Sequence, residues 1–193
     1  MMLLQTELER RLSTGELAFS GQVRKDSLLL TLGEYAQLTS SGSKVIDPYN
    51  SQSLGELYGK LITEWDQIEL GPHQFFLISS AENLRLDDHH YAFMSTLSHI
   101  ARIGLMSQPT SFFIDRGYEG HITFEIANLT SHTLLLYRSM PFAKLIIFRT
   151  DSLIHDSQNN ISNHNFYYGK PNELQSRFCY EFSKPRQKGE SNG

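Results

Sequence analysis

From Phe75 onward the apolar residues come in short runs at close intervals: Phe75 to Ile78, Leu84 to Leu86, Tyr91 to Leu97, Leu134 to Tyr137 and Leu145 to Phe148. Turn-forming residues separate them. None of these runs is long enough for a substantial helix, and such spacing predicts an all-β barrel or sandwich. The segment from His121 to Asn128 gives the same answer at finer grain. Ile122, Phe124 and Ile126 fall on one side of an extended chain, and Thr123 and Glu125 on the other. If the first side is core, Glu125 stands mid-strand on the second, where a carboxylate is unexpected unless it meets solvent, a cation or a site.

The N-terminal part reads differently. Thr6 with Glu9 three residues later forms a capping-box pattern, Leu8 and Leu12 make an apolar stripe, and Gly15 is the predicted stop. A short packing helix is therefore expected. Ser27 to Gly33 reads as a buried strand ending in a glycine turn, and the polar stretch from 39 to 56 reads as a loop. The acidic stretch from Glu56 to Glu69, with Trp65, has no assignable pattern. Beyond Asp151 the composition turns polar, with Asn159, Asn160, Asn163, His164 and Asn165 close together. The predicted organisation is thus a barrel over 1–150 and a polar C-terminal segment over 151–193, disordered at its end.

The 193 residues suffice for one domain with a sizeable core. A formal net charge of −4 gives no general attraction to nucleic-acid polymers or anionic membranes, so neither is an expected partner. The single cysteine, Cys179, excludes an internal disulfide framework and suits a reducing cytoplasm, the expected location. Glu7, Glu9, Arg10 and Arg11 break up any signal-peptide pattern. Of the eight histidines, His89 and His90 are adjacent and the rest scattered, and no pair shows the i, i+4 spacing of a helical zinc site with a carboxylate base. The His-x-Glu and Pro-Cys-x-x-Cys signature of zinc-dependent cytosine deaminases is missing from the sequence.

Three segments carry a more specific signal. They are Ser98-x-x-x-Arg102-x-Gly104-Leu105, Ile114-Asp115-x-Gly117-Tyr118-x-Gly120 and Glu125-x-x-Asn128. Ser98 and Arg102, four apart, share a face of one helical turn. In this order and at this spacing the segments resemble the core of the dCTP deaminase family, within the dUTPase-like superfamily. A weaker resemblance runs from the N-terminus to about Phe148. The implied fold is a distorted, mostly antiparallel β-barrel of the dUTPase-like type with a few short helices, and the implied assembly is a homotrimer with sites between subunits.

The resemblance implies a hydrolytic deaminase acting on a deoxycytidine nucleotide and giving the deoxyuridine nucleotide and ammonia. No catalytic metal is expected, and magnesium enters only as a companion of the nucleotide phosphates. Glu125 would be the proton shuttle, Ser98 would orient the attacking water, and Arg102 would stabilise charge and hold Glu125 ionised. On spacing alone, Glu125 and Arg102 would be just an ion pair. Asp115 would accept the 3′-hydroxyl, with Ile114 and Tyr118 shaping a pocket that crowds out a ribose 2′-hydroxyl. Thr123 and Gln108 would lie at the base.

Departures from the family pattern fall mainly on the phosphates. The common Arg-Ser-Ser is here Leu97-Ser98-His99. His99 is a candidate substitute phosphate ligand, weaker and effective only when protonated. Tyr167 and above all Lys170 are the candidates from the tail, which by the same resemblance would close over the nucleotide site. Leu29 stands where dUTPases carry a magnesium-holding aspartate. Two other functions remain in view: a dUTPase-type diphosphohydrolase using Asp115, and a catalytically silent nucleotide-binding homologue.

Overall fold

The computed structural model describes residues 1–40, 42, 44–107, 112–151, 174–176 and 178–181. Helix α1 (Gln5–Thr14) opens the chain and is followed by strands β1 (Ala18–Phe19) and β2 (Leu28–Thr39). Helix α2 (Ser51–Leu57) leads directly into β3 (Tyr58–Ile62), then β4 (Gln67–Leu70), β5 (Phe75–Arg85) and β6 (His90–Thr96). The turn α3 (Ser98–Arg102) precedes β7 (Leu105–Ser107), β8 (Phe113–Ile114), β9 (Glu119–Asn128), β10 (Leu134–Tyr137) and β11 (Pro141–Arg149). A last helical turn, α4, covers Phe178–Glu181.

The main sheet runs β7-β9-β5-β2-β11-β6-β8, with β1 added beside β5 and β3 beside β2, and every pairing is antiparallel. Its two edge strands, β7 and β8, are separated by few residues. Laid flat, seven strands would set the outer two about 29 Å apart, whereas the six Cα steps from Ser107 to Phe113 reach at most about 21 Å. The sheet must therefore curl, and its concave side holds the core. The result is a curled antiparallel half-barrel of the dUTPase-like type. A separate β4–β10 pair lies beside it.

Alternation sets what faces inward. Ile122, Phe124 and Ile126 of β9 are buried with Phe76 and Ile78 of β5, Leu28, Leu30 and Leu32 of β2, and Phe142, Leu145 and Ile147 of β11. The rings of Phe124 and Phe142 meet at 5.1 Å. Leu8 attaches α1 to this core, and Gly15 ends that helix as expected. The capping box does not form: Leu4 occupies the cap with no side-chain bond, and the Gln5 amide donates instead to the Asp26 carboxylate at 2.8 Å.

Two expectations require correction. Gly33 does not end its strand. β2 continues to Thr39 through an irregularity between Leu32 and Ala36, and a Cβ at Gly33 would sit 2.5 Å from the Ser80 carbonyl oxygen. Glycine is needed there for close backbone approach at a bulge, not for a turn. The polar stretch from 39 to 56 is also not loop throughout. Asn50 accepts from the Ser53 amide at 3.0 Å and so starts α2. Trp65, in the unassigned stretch, donates its indole N–H to the Glu34 carbonyl at 2.7 Å.

Candidate active site

Strand β9 carries the central residue. Its core face is full, so Thr123 and Glu125 stand half-buried on the opposite face. Antiparallel register sets Thr123 across from Ser79 and Glu125 across from Leu77, which in turn pairs with Gln37. Both Leu77 and Gln37 are buried, so this outer face is partly covered. Burial pushes the Glu125 carboxyl above its ordinary 4.5. Nothing among the described residues opposes that push by hydrogen bond or ion pair.

Asn128 fixes the end of the strand. Fully buried, it donates to the carbonyls of Leu70, Gly71 and His132 at 2.9, 3.0 and 2.7 Å, and it accepts from the amide and hydroxyl of Thr130. Its amide thus joins β4, β9 and the turn toward β10, a structural use that explains its place three residues after Glu125.

Ser98, His99 and Arg102 lie on the exposed side of α3, with Ile100 buried beneath them as the anchor. Gly104 closes the turn at φ 79°, and a Cβ there would lie 2.3 Å from the Thr130 methyl. Within the chain no hydrogen bond or ion pair joins Ser98 or Arg102 to Glu125. Among the described residues, burial alone acts on the Glu125 carboxyl, and it raises it.

The third motif forms the β8–β9 connection. Ile114 is buried in the core, Asp115 is exposed, and Tyr118 is half-buried with its hydroxyl donating to the His121 carbonyl at 2.5 Å. The Leu86 amide donates to the Tyr118 carbonyl at 2.8 Å, tying this turn to the end of β5. Gln108, Tyr167 and Lys170 lie outside the described residues. Among the described residues no three His, Cys, Asp or Glu side chains are grouped to hold a metal ion.

A model of the dCTP deaminase-like family matches residues 2–150. The chain belongs to the dCTP deaminase-like family. It is 32% identical over 155 residues to the dUMP-forming dCTP deaminase of Methanoculleus marisnigri, covering 78% of this chain and 82% of the relative. It is 33% identical over 156 residues to the dCTP deaminase of Pyrobaculum aerophilum, covering 78% and 86%. The fold also matches the crystal structure of 2′-deoxycytidine 5′-triphosphate deaminase from Agrobacterium tumefaciens with a TM-score of 0.60 at 16% identity. That match spans 77% of this chain and 48% of the other.

In this family member, one residue near the site had no signal in the sequence. Tyr58, at the start of β3, lies within electrostatic reach of Glu125: burial pushes its phenol upward against the lowering effect of the Ser176 amide, and the carboxylate adds a smaller upward push. Tyr58 lies in the stretch with no readable pattern, and two strands, β2 and β5, separate β3 from β9 in the sheet order. Such a neighbour comes only from the folded register.

Proposed function

We propose that the chain is a hydrolytic deaminase of a deoxycytidine nucleotide, giving the deoxyuridine nucleotide and ammonia. The observation that carries this reading is Glu125. It is a half-buried carboxyl without a cation partner among the described residues, raised above its ordinary value by burial and placed mid-strand where a structural role would favour an apolar residue. A carboxyl raised toward working pH exchanges protons in both directions, as a shuttle must. In the proposed sequence, water attacks C4 as the ionised Glu125 takes its proton. The carboxylic acid then protonates N3 and, after a further transfer from the hydroxyl at C4, the departing amine. Ammonia leaves and C4 becomes the carbonyl. This route works without a metal-bound hydroxide.

The exposed trio on α3 and the lone carboxyl on β9 support a site completed between copies of the chain. In that arrangement Ser98 of one subunit positions the water against Glu125 of another, and Arg102 supplies the charge stabilisation that no described residue of the same chain gives. The outer face of β6, β8 and β11 supports self-association. Tyr91, Phe93, Phe112, Phe113 and Phe148 pack there at ring separations of 5.3–6.0 Å, yet Phe112 and Phe113 remain about half exposed. We take the assembly to be a homotrimer, with Asp115 and Thr123 meeting sugar and base, and with His99, Tyr167 and Lys170 at the phosphates.

The test of the chemistry is incubation with dCTP, dCDP, dCMP and CTP while ammonia and diphosphate are followed together. Ammonia from a deoxycytidine nucleotide supports the reading, and an equal yield of diphosphate from dCTP identifies the monophosphate as product. Diphosphate from dUTP with no ammonia from any cytosine nucleotide would overturn it. The shared site has its own test. Ser98→Ala and Glu125→Gln homo-oligomers, each inactive, are unfolded together and refolded in equal amounts. Random mixing leaves both residues intact at about a quarter of sites, so activity should recover to about that fraction. No recovery, with mixed oligomers verified, would place both residues in one chain's site.

A further inference from the structure

We propose that Tyr58 is a positioning residue: it is the clasp that holds the chain's own segment Leu174–Ser176 over the sheet face carrying Glu125. Three buried leucines point to this cover. Leu54, Leu77 and Leu174 are each at most 7% exposed, yet none belongs to the main core cluster on the concave side of the sheet. Leu77 is the cross-strand partner of Glu125, so its burial occurs on the outer face. Leu54 belongs to α2, whose C-terminal cap is Tyr58 itself. Leu174 lies two residues before Ser176, whose backbone N–H donates to the Tyr58 hydroxyl at 3.1 Å. Apolar residues buried outside the principal core are expected where a segment lies over a sheet.

Tyr58 is therefore shared by two things. Its oxygen receives the C-terminal segment, and its phenol feels the charge on Glu125. No hydrogen bond joins the phenol to the carboxylate, so Tyr58 acts on Glu125 through what it holds in place. The segment it holds limits water beside Glu125, and limited water both favours the proton-carrying form of the carboxyl and strengthens its interactions with a bound base. The cover comes from the same chain that supplies Glu125, whatever a neighbouring copy contributes opposite.

The consequence for turnover rests on the deaminase reading, whereas the clasp does not, and the experiment separates the two. Backbone hydrogen exchange at Ser176 and the carboxyl titration of Glu125 are followed by NMR in the full chain, in Tyr58→Phe and in Leu174→Ser, beside kcat and KM for the preferred deoxycytidine nucleotide. Loss of one hydrogen bond predicts about a two- to tenfold faster Ser176 exchange in Tyr58→Phe, and Leu174→Ser, which removes apolar burial as well, exceeds it. In both variants the Glu125 titration moves down toward the usual carboxylate range, and kcat falls while KM changes little. Unchanged exchange and titration in both variants would overturn the clasp. Faster exchange with unchanged titration and kcat would overturn the positioning role. If the native chain proves inactive on every nucleotide but exchange and titration move together, the clasp stands and only the deaminase reading fails.

Discussion

Glu7 and Glu125 are the same side chain under opposite treatment. On α1, Glu7 is bound first by Arg10 and then by Arg11, and its carboxyl is held down to about 2. Arg11 is buried and meets Glu7 at 2.7 Å on one side and Glu16 on the other. Nearby, His90 is fully buried on β6 and meets Asp87 at 2.5 Å. Charge at this end of the barrel is locally matched, which is how a structure tolerates ions away from water. On the outer face of β9, Glu125 has burial without a partner among the described residues, and its carboxyl moves upward. The matched cluster fastens a helix to a sheet. The unmatched carboxyl is kept against its own solvation preference, the usual mark of a group retained for chemistry.

The largest expected effect breaks the second region. Glu125→Gln keeps the volume and the strand but cannot accept and return a proton, so deamination should fall by about a thousandfold or more while the fold persists. Single-turnover assays with saturating nucleotide, beside circular dichroism, check both halves. Turnover near the native rate would end the assignment of Glu125 as the shuttle.

The same contrast separates what the sequence discloses from what it hides. The alternation from Ile122 to Ile126 is local, so the placing of Glu125 on the outer face could be read directly, as could the shared face of Ser98 and Arg102. Gly33 misled because its reason is the Ser80 backbone, far away in the chain. Asn50 as a cap is a local signal, hidden among the other polar residues of its stretch. No hydrogen bond or ion pair joins Arg102 to Glu125 within one chain, because closeness in a motif is not closeness in space. Tyr58 had no signal at all: it approaches the site only after β3, β2, β5 and β9 have taken their register.

The next effect breaks the first region. Arg11→Ala removes the cation between two carboxylates and leaves Glu7 and Glu16 near each other without it. Because both carboxylates are about a third exposed, water recovers part of the loss. The melting temperature should fall on the order of 5 °C, with activity per folded molecule unchanged. A melting temperature equal to the native value would show that Glu7 and Arg10 suffice to hold α1.

Acidification sharpens the contrast through the sign of each region's response. Burial lowers His90 below its ordinary 6.5 despite Asp87, so below about pH 6.5 the unfolded chain binds the extra proton first and stability declines. Asp87, which burial would raise, is held below its ordinary 3.8 by His90 and His89, so its contribution is lost only in stronger acid, as pH falls through its folded value. His90→Phe should flatten the decline between pH 7 and 5 in thermal scans. A decline as steep as that of the native chain would assign it to other groups.

The smallest effect runs the other way. Glu125 is raised in the folded chain, so between 4.5 and its folded value the native state binds more protons than the unfolded one. Its contribution is fully present below about pH 4.5 and is lost as pH rises through that window. At neutral pH the native chain therefore carries the cost of an ionised, half-buried carboxylate, and Glu125→Gln removes it. The inactive variant should be more stable than the native chain at pH 7.5, by up to about 1 kcal/mol, and the gain should vanish by pH 4. A variant less stable at every pH would show that the carboxylate makes a stabilising contact in the assembled protein, which is what Arg102 from a neighbouring copy would supply. Repeating the comparison in Arg102→Ala decides between those causes: if Arg102 is that partner, the stability lost on replacing Glu125 disappears in its absence.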